Sequence, residues 1–256
     1  LTNTSITSID IPNSVTSIGD EMFTNTELSA ITIPANITSI GDLAFHYAKM
    51  LVSISVDGAN SNYSSVNDIL FNIDKTSLIK YPESKTGASY TIPASVTNVD
   101  TYALTNTSLT SFSVDGGNSN YSSVNDVLFN IDQTSLIKYP CGKTDVSYTI
   151  PASVTSIGVN AFRDATKLYT LNIPNSVTSI GQNAFDNAAK LTTNFTLPRS
   201  MTELGVNLFR GSHIDDIIIP NTVTEIKDLA FFWVWYLSTI SFEDNSSLKK
   251  IGNNAF

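Results

Sequence analysis

Charge is scarce in this chain. Of its 256 residues, 14% are Asp, Glu, Lys or Arg, with 14 cationic side chains against 23 anionic ones; soluble domains average about 25% charged. The formal net charge of -9 provides no basic field to hold phosphates, which argues against nucleic acid as a partner. A single cysteine, Cys141, excludes an internal disulfide framework. It sits in YPCGK, whose internal counterpart carries Glu83, and a position that exchanges thiol for carboxylate between copies is not a required nucleophile. The two histidines, His46 and His213, lie in separate stretches with no partner constellation around either. Phosphate-cradling loops, dinucleotide fingerprints and metal-spaced Cys/His sets are all missing, so the reading is non-enzymatic with no cofactor. No apolar run reaches the ~20 residues that cross a bilayer.

What the chain has instead is one phrase, repeated. Residues 173–185 read IPNSVTSIGQNAF, and the phrase returns as IPNSVTSIGDEMF from Ile11, IPANITSIGDLAF from Ile33 and IPASVTNVDTYAL from Ile92. Further copies are IPASVTSIGVNAF from Ile150, LPRSMTELGVNLF from Leu197 and IPNTVTEIKDLAF from Ile219, with a degenerate SLKKIGNNAF ending at Phe256. Self-similarity at a fixed period of 20–50 residues is the signature of a solenoid. Apolar triplets such as Leu28, Ile31 and Ile33, or Leu168, Leu171 and Ile173, end in the alternation of a strand. The proline that follows cannot donate to a ladder and stops the strand. A second inward pair, such as Val177 and Ile180, precedes a turning glycine, and Ala184–Phe185 is expected to close the coil in a short helical or 3-10 turn.

Two near-duplicate modules, residues 53–110 and 111–168, interrupt the period. Each adds a hairpin signal, over 69–82 and 127–140, in which apolar runs flank an Asp-containing turn. The expected architecture is therefore a β-rich α/β solenoid of about ten coils of parallel strands, two of them enlarged by a hairpin. Residues 1–256 form a single domain roughly 45 Å long at the usual strand spacing. Leu1 and Phe256 occupy the same repeat position, which reads as a fragment of a longer array.

The phrase IP-x-SVTSIG-x-x-AF and the interposed NYSSVNDVLFN…LIKYP module resemble the BspA-like, treponemal-type leucine-rich repeats across essentially the whole chain. At the position where common leucine-rich repeats carry Asn, this chain has Ser14, Ser176 and Thr222, with Asn36 the exception. The resemblance implies a secreted, cell-surface adhesion module of a host-associated microbe. Its implied partners are protein or glycan ligands, extracellular-matrix proteins among them. The alternative is a spacer or stalk that presents another domain.

Two surfaces stand out as binding candidates. Residues between the last two core positions of each first strand point outward: Asp10, Thr32, Ser55, Thr91, Ser113, Thr149, Asn172, Thr196, Ile218 and Ser241. The ninth closing turn reads AFFWVWYL, where register sends Phe231 and Val234 inward and leaves Phe232, Trp233, Trp235 and Tyr236 outside. Other coils carry polar pairs there, such as His46–Tyr47, Arg163–Asp164 and Asp186–Asn187. Trp and Tyr are the residues enriched in binding hot spots; the alternative is local packing of these rings against residues 210–213 or against a further coil of the array. A weaker oxygen-donor set, Asp57, Asn60 and Asn62 with Asp115, Asn118 and Asn120, has the hard-cation type but reads first as turn caps.

Overall fold

The computed structural model describes residues 1–188 and 195–256. The packing divides them into two compact units, Leu1–Ser108 with Val114–Asn120, and Leu109–Ser113 with Tyr121–Phe256. Both are built from the same coil. Among the described residues, ten short second strands run from Ser17–Ile18 to Lys250–Ile251, and no helix occurs. The fold is thus a β-solenoid of about ten turns with parallel strands.

Why these residues form coils is visible in the ladders. In the first unit, Ala30–Ile33 pairs parallel with Ser53–Val56, Ile31 facing Ile54 and Thr32 facing Ser55. In the second unit Asp216–Ile219 pairs the same way with Thr239–Phe242. Inward members such as Ile31, Ile54 and Ile217 are buried, whereas Thr32 and Ser55 are exposed, the period-2 alternation of a half-buried strand. Each unit has its own apolar core, one gathered around Phe23, Ile33 and Phe45 and the other around Phe162, Phe185 and Phe209.

The closing turns are not helical, and the backbone shows why. Ala184 N–H donates to Gly181 O, Asp186 N–H to Asn183 O and Ala188 N–H to Phe185 O. The intervening Asn183, Phe185 and Asn187 N–H groups donate to Val206, Leu208 and Arg210 O of the next coil. Asn183 and Asn187 have φ of 54° and 53°. A left-handed residue every fourth position interrupts helix propagation and turns alternate N–H groups toward the neighbour. In the second unit two left-handed columns result, one of Asn160, Asn183, Asn207, Leu229 and Asn254, the other of Asp164, Asn187, Gly211 and Trp233; in the first unit Glu21 holds the former repeat position and Asn25, Tyr47 and Asn106 the latter. Asn, Asp and Gly tolerate this conformation best. The glycine after the second strand answers a different need. A Cβ on Gly181 would lie 2.5 Å from Val159 N of the preceding coil, so the requirement is close approach.

Inside the units, one aromatic per coil stacks on the next. In the second unit Tyr139, Phe162, Phe185, Phe209, Phe231 and Phe256 form a column with centroids 5.2–5.6 Å apart. Hydroxyls take over the expected asparagine ladder. Ser176 donates to Val154 O at 2.7 Å, Thr222 to Met201 O at 2.6 Å, and Ser200 to Val177 O. A second series adds Thr38, Thr155, Thr178 and Thr224, each donating through both N–H and Oγ1 to the preceding coil.

The inserted modules are core structure. In the first, Ile69–Asn72 pairs antiparallel with Ser77–Lys80, which pairs parallel with Asn98–Val99 of the next coil. Leu70, Phe71, Leu78 and Tyr81 are buried, as are Leu128, Phe129, Leu136 and Tyr139 in the second module. The outgoing hairpin arm therefore serves as the coil's own second strand. A further strand was not anticipated: Tyr63–Val66 pairs antiparallel with Ile69–Asn72 across Asn67 and Asp68, at φ of 50° and 66°. Two successive positive φ values make the primed turn that matches strand twist.

Candidate binding surface

The outward column of the first strands lies where alternation places it. Asp10, Thr32, Ser55 and Thr91 are exposed in the first unit, and Ser113, Thr149, Asn172, Thr196, Ile218 and Ser241 in the second. Thr32 and Ser55 hydroxyls bond each other at 2.8 Å. Ile218 is the sole large apolar member of the column and is 56% exposed.

The ninth closing turn differs in kind. Phe231 is buried in the ring column, and Val234 packs partly against the core. Trp233, Trp235 and Tyr236 are 52, 80 and 59% exposed, while Phe232 is half-buried and stacks on Trp233 at 4.9 Å. The Arg210 guanidinium lies 4.9 Å from the Trp233 ring centroid, and His213 lies 4.7 Å from Tyr236. Trp233 occupies the left-handed column at φ 60°, where neighbouring coils place Asn187 and Gly211. A bulky residue is costly there. The turn thus projects three large rings into solvent, two of them braced by cationic or titratable neighbours.

Of the polar pairs expected on the outside, Asn187 is exposed and His46, Tyr47 and Asp164 are half-buried, but the first members of the other two pairs turn inward. Arg163 and Asp186 are buried. Arg163 Nη2 lies 3.3 Å from Asp186 Oδ2, and Arg210 Nη1 lies 3.5 Å from the same oxygen. Burial raises the Asp186 pKa from its ordinary value, and the two arginines oppose the shift. Asp186 thus meets the side chains of the preceding and the following coil, Arg163 and Arg210, contacts that sequence spacing alone does not give.

The oxygen-donor turns serve the backbone. Asn60 is buried; its Nδ2 donates to Pro34 O at 2.7 Å and Ile37 O at 3.1 Å, and its Oδ1 accepts from Asn62 and Tyr63 N–H. Asn118 repeats this with Pro93 O, Val96 O and Asn120 N–H. Asp57 and Asp115 cap their turns through Ala59 and Gly117 N–H. Among the described residues no group of three His, Cys, Asp or Glu side chains could hold a metal ion, and no helix is long and apolar enough to cross a membrane.

One polar cluster was not read from sequence. Lys80 and Glu83, both buried, pair at 3.1 Å, and Asn106 Nδ2 donates to the same Glu83 Oε1 at 3.2 Å. Only the i,i+3 spacing of Lys80 and Glu83 hinted at it.

The comparisons with known proteins agree with this architecture. The model of the BspA type leucine rich repeat region matches residues 1–130, 81–149 and 139–256, in six copies. Among solved structures, a leucine-rich cell surface protein of Faecalibacterium prausnitzii is 22% identical with a TM-score of 0.58, over 93% of this chain and 83% of its own. The pneumococcal vaccine antigen PcpA is 24% identical with a TM-score of 0.56, over 93% of this chain; the match spans 60% of the antigen. A leucine-rich repeat protein of Eubacterium ventriosum is 19% identical with a TM-score of 0.50, over 94% of this chain and 79% of its own. No curated protein sequence matches. These likenesses below 25% identity concern the fold, whereas the family match runs the length of the sequence: the chain belongs to the BspA-type leucine-rich repeat proteins.

Proposed function

We propose that this chain is a non-catalytic adhesion module that engages protein or glycan ligands at a cell surface. Its principal contact is the ninth closing turn. The observation that carries the reading is the exposure of Trp233, Trp235 and Tyr236 together on one closing turn, where most other coils place Asn, Asp or Gly at the Trp233 position and only Tyr47 is a comparable ring. Exposed aromatic patches of this kind mark contacts, and a tryptophan held by Phe232 and Arg210 loses little freedom on binding. Extracellular-matrix proteins are the ligand class to test first, and the hydroxyl-rich outward residues of each unit supply a secondary face. The stalk reading draws on a different observation: Thr32 and Ser55 satisfy each other, which leaves that part of the column less to offer a ligand.

The test is a binding screen against matrix proteins and glycans that compares the parent protein with a Trp233→Ser/Trp235→Ser variant, both verified as folded. Binding by the parent that the variant loses supports the patch. Binding retained by the variant moves the contact to the hydroxyl column, and no binding by either favours the stalk.

A further inference from the structure

We propose that Lys80 and Asn106 are joined by an intramolecular isopeptide bond, formed by the protein itself with Glu83 as the proton relay. The three side chains converge on one oxygen. Lys80 Nζ contacts Glu83 Oε1 at 3.1 Å, with the two side chains 4% and 1% exposed. Asn106 Nδ2 reaches the same Oε1 at 3.2 Å. The group is fixed from both sides. Tyr81 N–H, between Lys80 and Glu83, donates to Ala103 O at 3.0 Å, and Thr105 and Thr107, flanking Asn106, are buried.

The chemistry follows from that arrangement. An amine does not displace ammonia from a free carboxamide at a useful rate, but fixed proximity can supply effective molarities of about 10⁵–10⁸ M. Glu83 takes a proton from the Lys80 ammonium, which removes both charges from a site where burial penalises them. The freed lone pair of Nζ attacks Asn106 Cγ, and the protonated Glu83 carboxyl, which already faces Nδ2, passes its proton to that leaving nitrogen and takes a second one from Nζ. When the tetrahedral centre collapses, the Cγ–Nδ2 bond breaks and Nδ2 leaves as ammonia. Of the three ammonium protons, one stays on the new amide nitrogen, one leaves with ammonia and one remains on Glu83. No oxidant or cofactor is needed.

The twin module is the internal control. Fifty-eight residues on, Lys138 is kept, but Cys141 stands for Glu83 and Asp164 for Asn106. Lys138 Nζ there donates to Asn160 O at 2.8 Å and Arg163 O at 3.1 Å, while Asn187 Nδ2 holds the Asp164 carboxylate at 2.8 Å. Neither the relay nor the leaving amide is present, so the bond is expected in the first module and not in the second.

Intact-mass spectrometry of the denatured protein decides the matter. The expected mass lies about 17 Da below that of the sequence, the loss of one ammonia. A tryptic digest should contain residues 76–85, uncut at Lys80, linked to residues 86–138. Glu83→Gln and Asn106→Ala variants should show the full sequence mass. If either variant fails to fold, the linked peptide from the parent protein still answers the question. A parent at full sequence mass after prolonged incubation overturns the proposal. So does a deficit whose linked peptides lack Lys80 or Asn106, or one that persists in Glu83→Gln.

Discussion

The ring column makes a quantitative claim about where stability resides. Phe185 is buried between Phe162 at 5.6 Å and Phe209 at 5.3 Å, with Phe195 edge-on at 5.5 Å. Phe256 caps the same column with one stacking partner, Phe231, and is 52% exposed. Truncating Phe185 to Ala removes a full aromatic burial and leaves a cavity that two coils cannot close, so the expected loss is about 3–5 kcal/mol. Phe256→Ala gives up half the burial and a single ring pair, about 1–2 kcal/mol. Urea unfolding followed by far-ultraviolet circular dichroism measures both. Hydrogen exchange should localise the Phe185 effect to the N–H groups of Phe162 and Phe185, which bridge to Ala184 and Leu208, because a solenoid couples chiefly to its nearest neighbours. Equal losses for the two variants, or less than about 1.5 kcal/mol for Phe185→Ala, would refute the idea that the stacked rings form the core.

Other outcomes follow from particular side chains. Asn60→Ala strands two carbonyls and two N–H groups in a buried turn and should cost about 3 kcal/mol or more; a loss below about 1 kcal/mol in the same unfolding assay would contradict that accounting. Trp233→Asn relieves a left-handed strain of about 1–2 kcal/mol and forfeits a cation–π contact of about 0.5–1 kcal/mol. The variant should match or slightly exceed the parent in stability, and a clear destabilisation would show that Trp233 packs into the fold. Burial raises the pKa of Tyr63, Tyr81, Tyr90 and Tyr139 and pushes Tyr148 up to about 12. The neutral phenols therefore stabilise the fold fully below about pH 10, and that stability is lost as pH rises through the folded-state values. Ultraviolet titration should find these five protonated while the fold survives and ionised together when it fails; ten tyrosines ionising in one step in the intact fold would be the contrary result.

The coil was legible because repetition makes it so. Seven copies of one phrase fix the register, and the alternation in Ile31–Thr32–Ile33 sets which side of each strand faces inward. The hydroxyls of Ser176 and Thr222 were readable as substitutes for asparagine. What remained hidden is what occurs only twice or depends on contacts across coils. The pairing of Tyr63–Val66 rests on the two-residue Asn67–Asp68 turn, a signal masked by the stronger apolar run after it. Asn60 and Asn118 look like surface turn residues, yet their amides reach carbonyls of the preceding coil, more than twenty residues away. Arg163 and Asp186 read as polar turn residues, and only the neighbouring coil shows that they compensate each other in the interior. Trp233, Trp235 and Tyr236 were recoverable because they depart from a column the repeat had already defined. The meeting of Lys80, Glu83 and Asn106 combines both difficulties.

The left-handed asparagines also bear on how the protein ages. Asparagine deamidates when the backbone nitrogen of the following residue attacks its side-chain carbonyl and closes a succinimide. In these turns that nitrogen is already committed: Ala161 donates to Gly158 O, Ala184 to Gly181 O and Ala188 to Phe185 O, immediately after Asn160, Asn183 and Asn187. Closing the ring would require breaking a hydrogen bond and bending a residue held between two neighbouring coils. A chain with so many asparagines in its turns is thereby shielded from slow chemical damage for as long as its coils stay stacked, and deamidation at these sites becomes a clock for local unfolding.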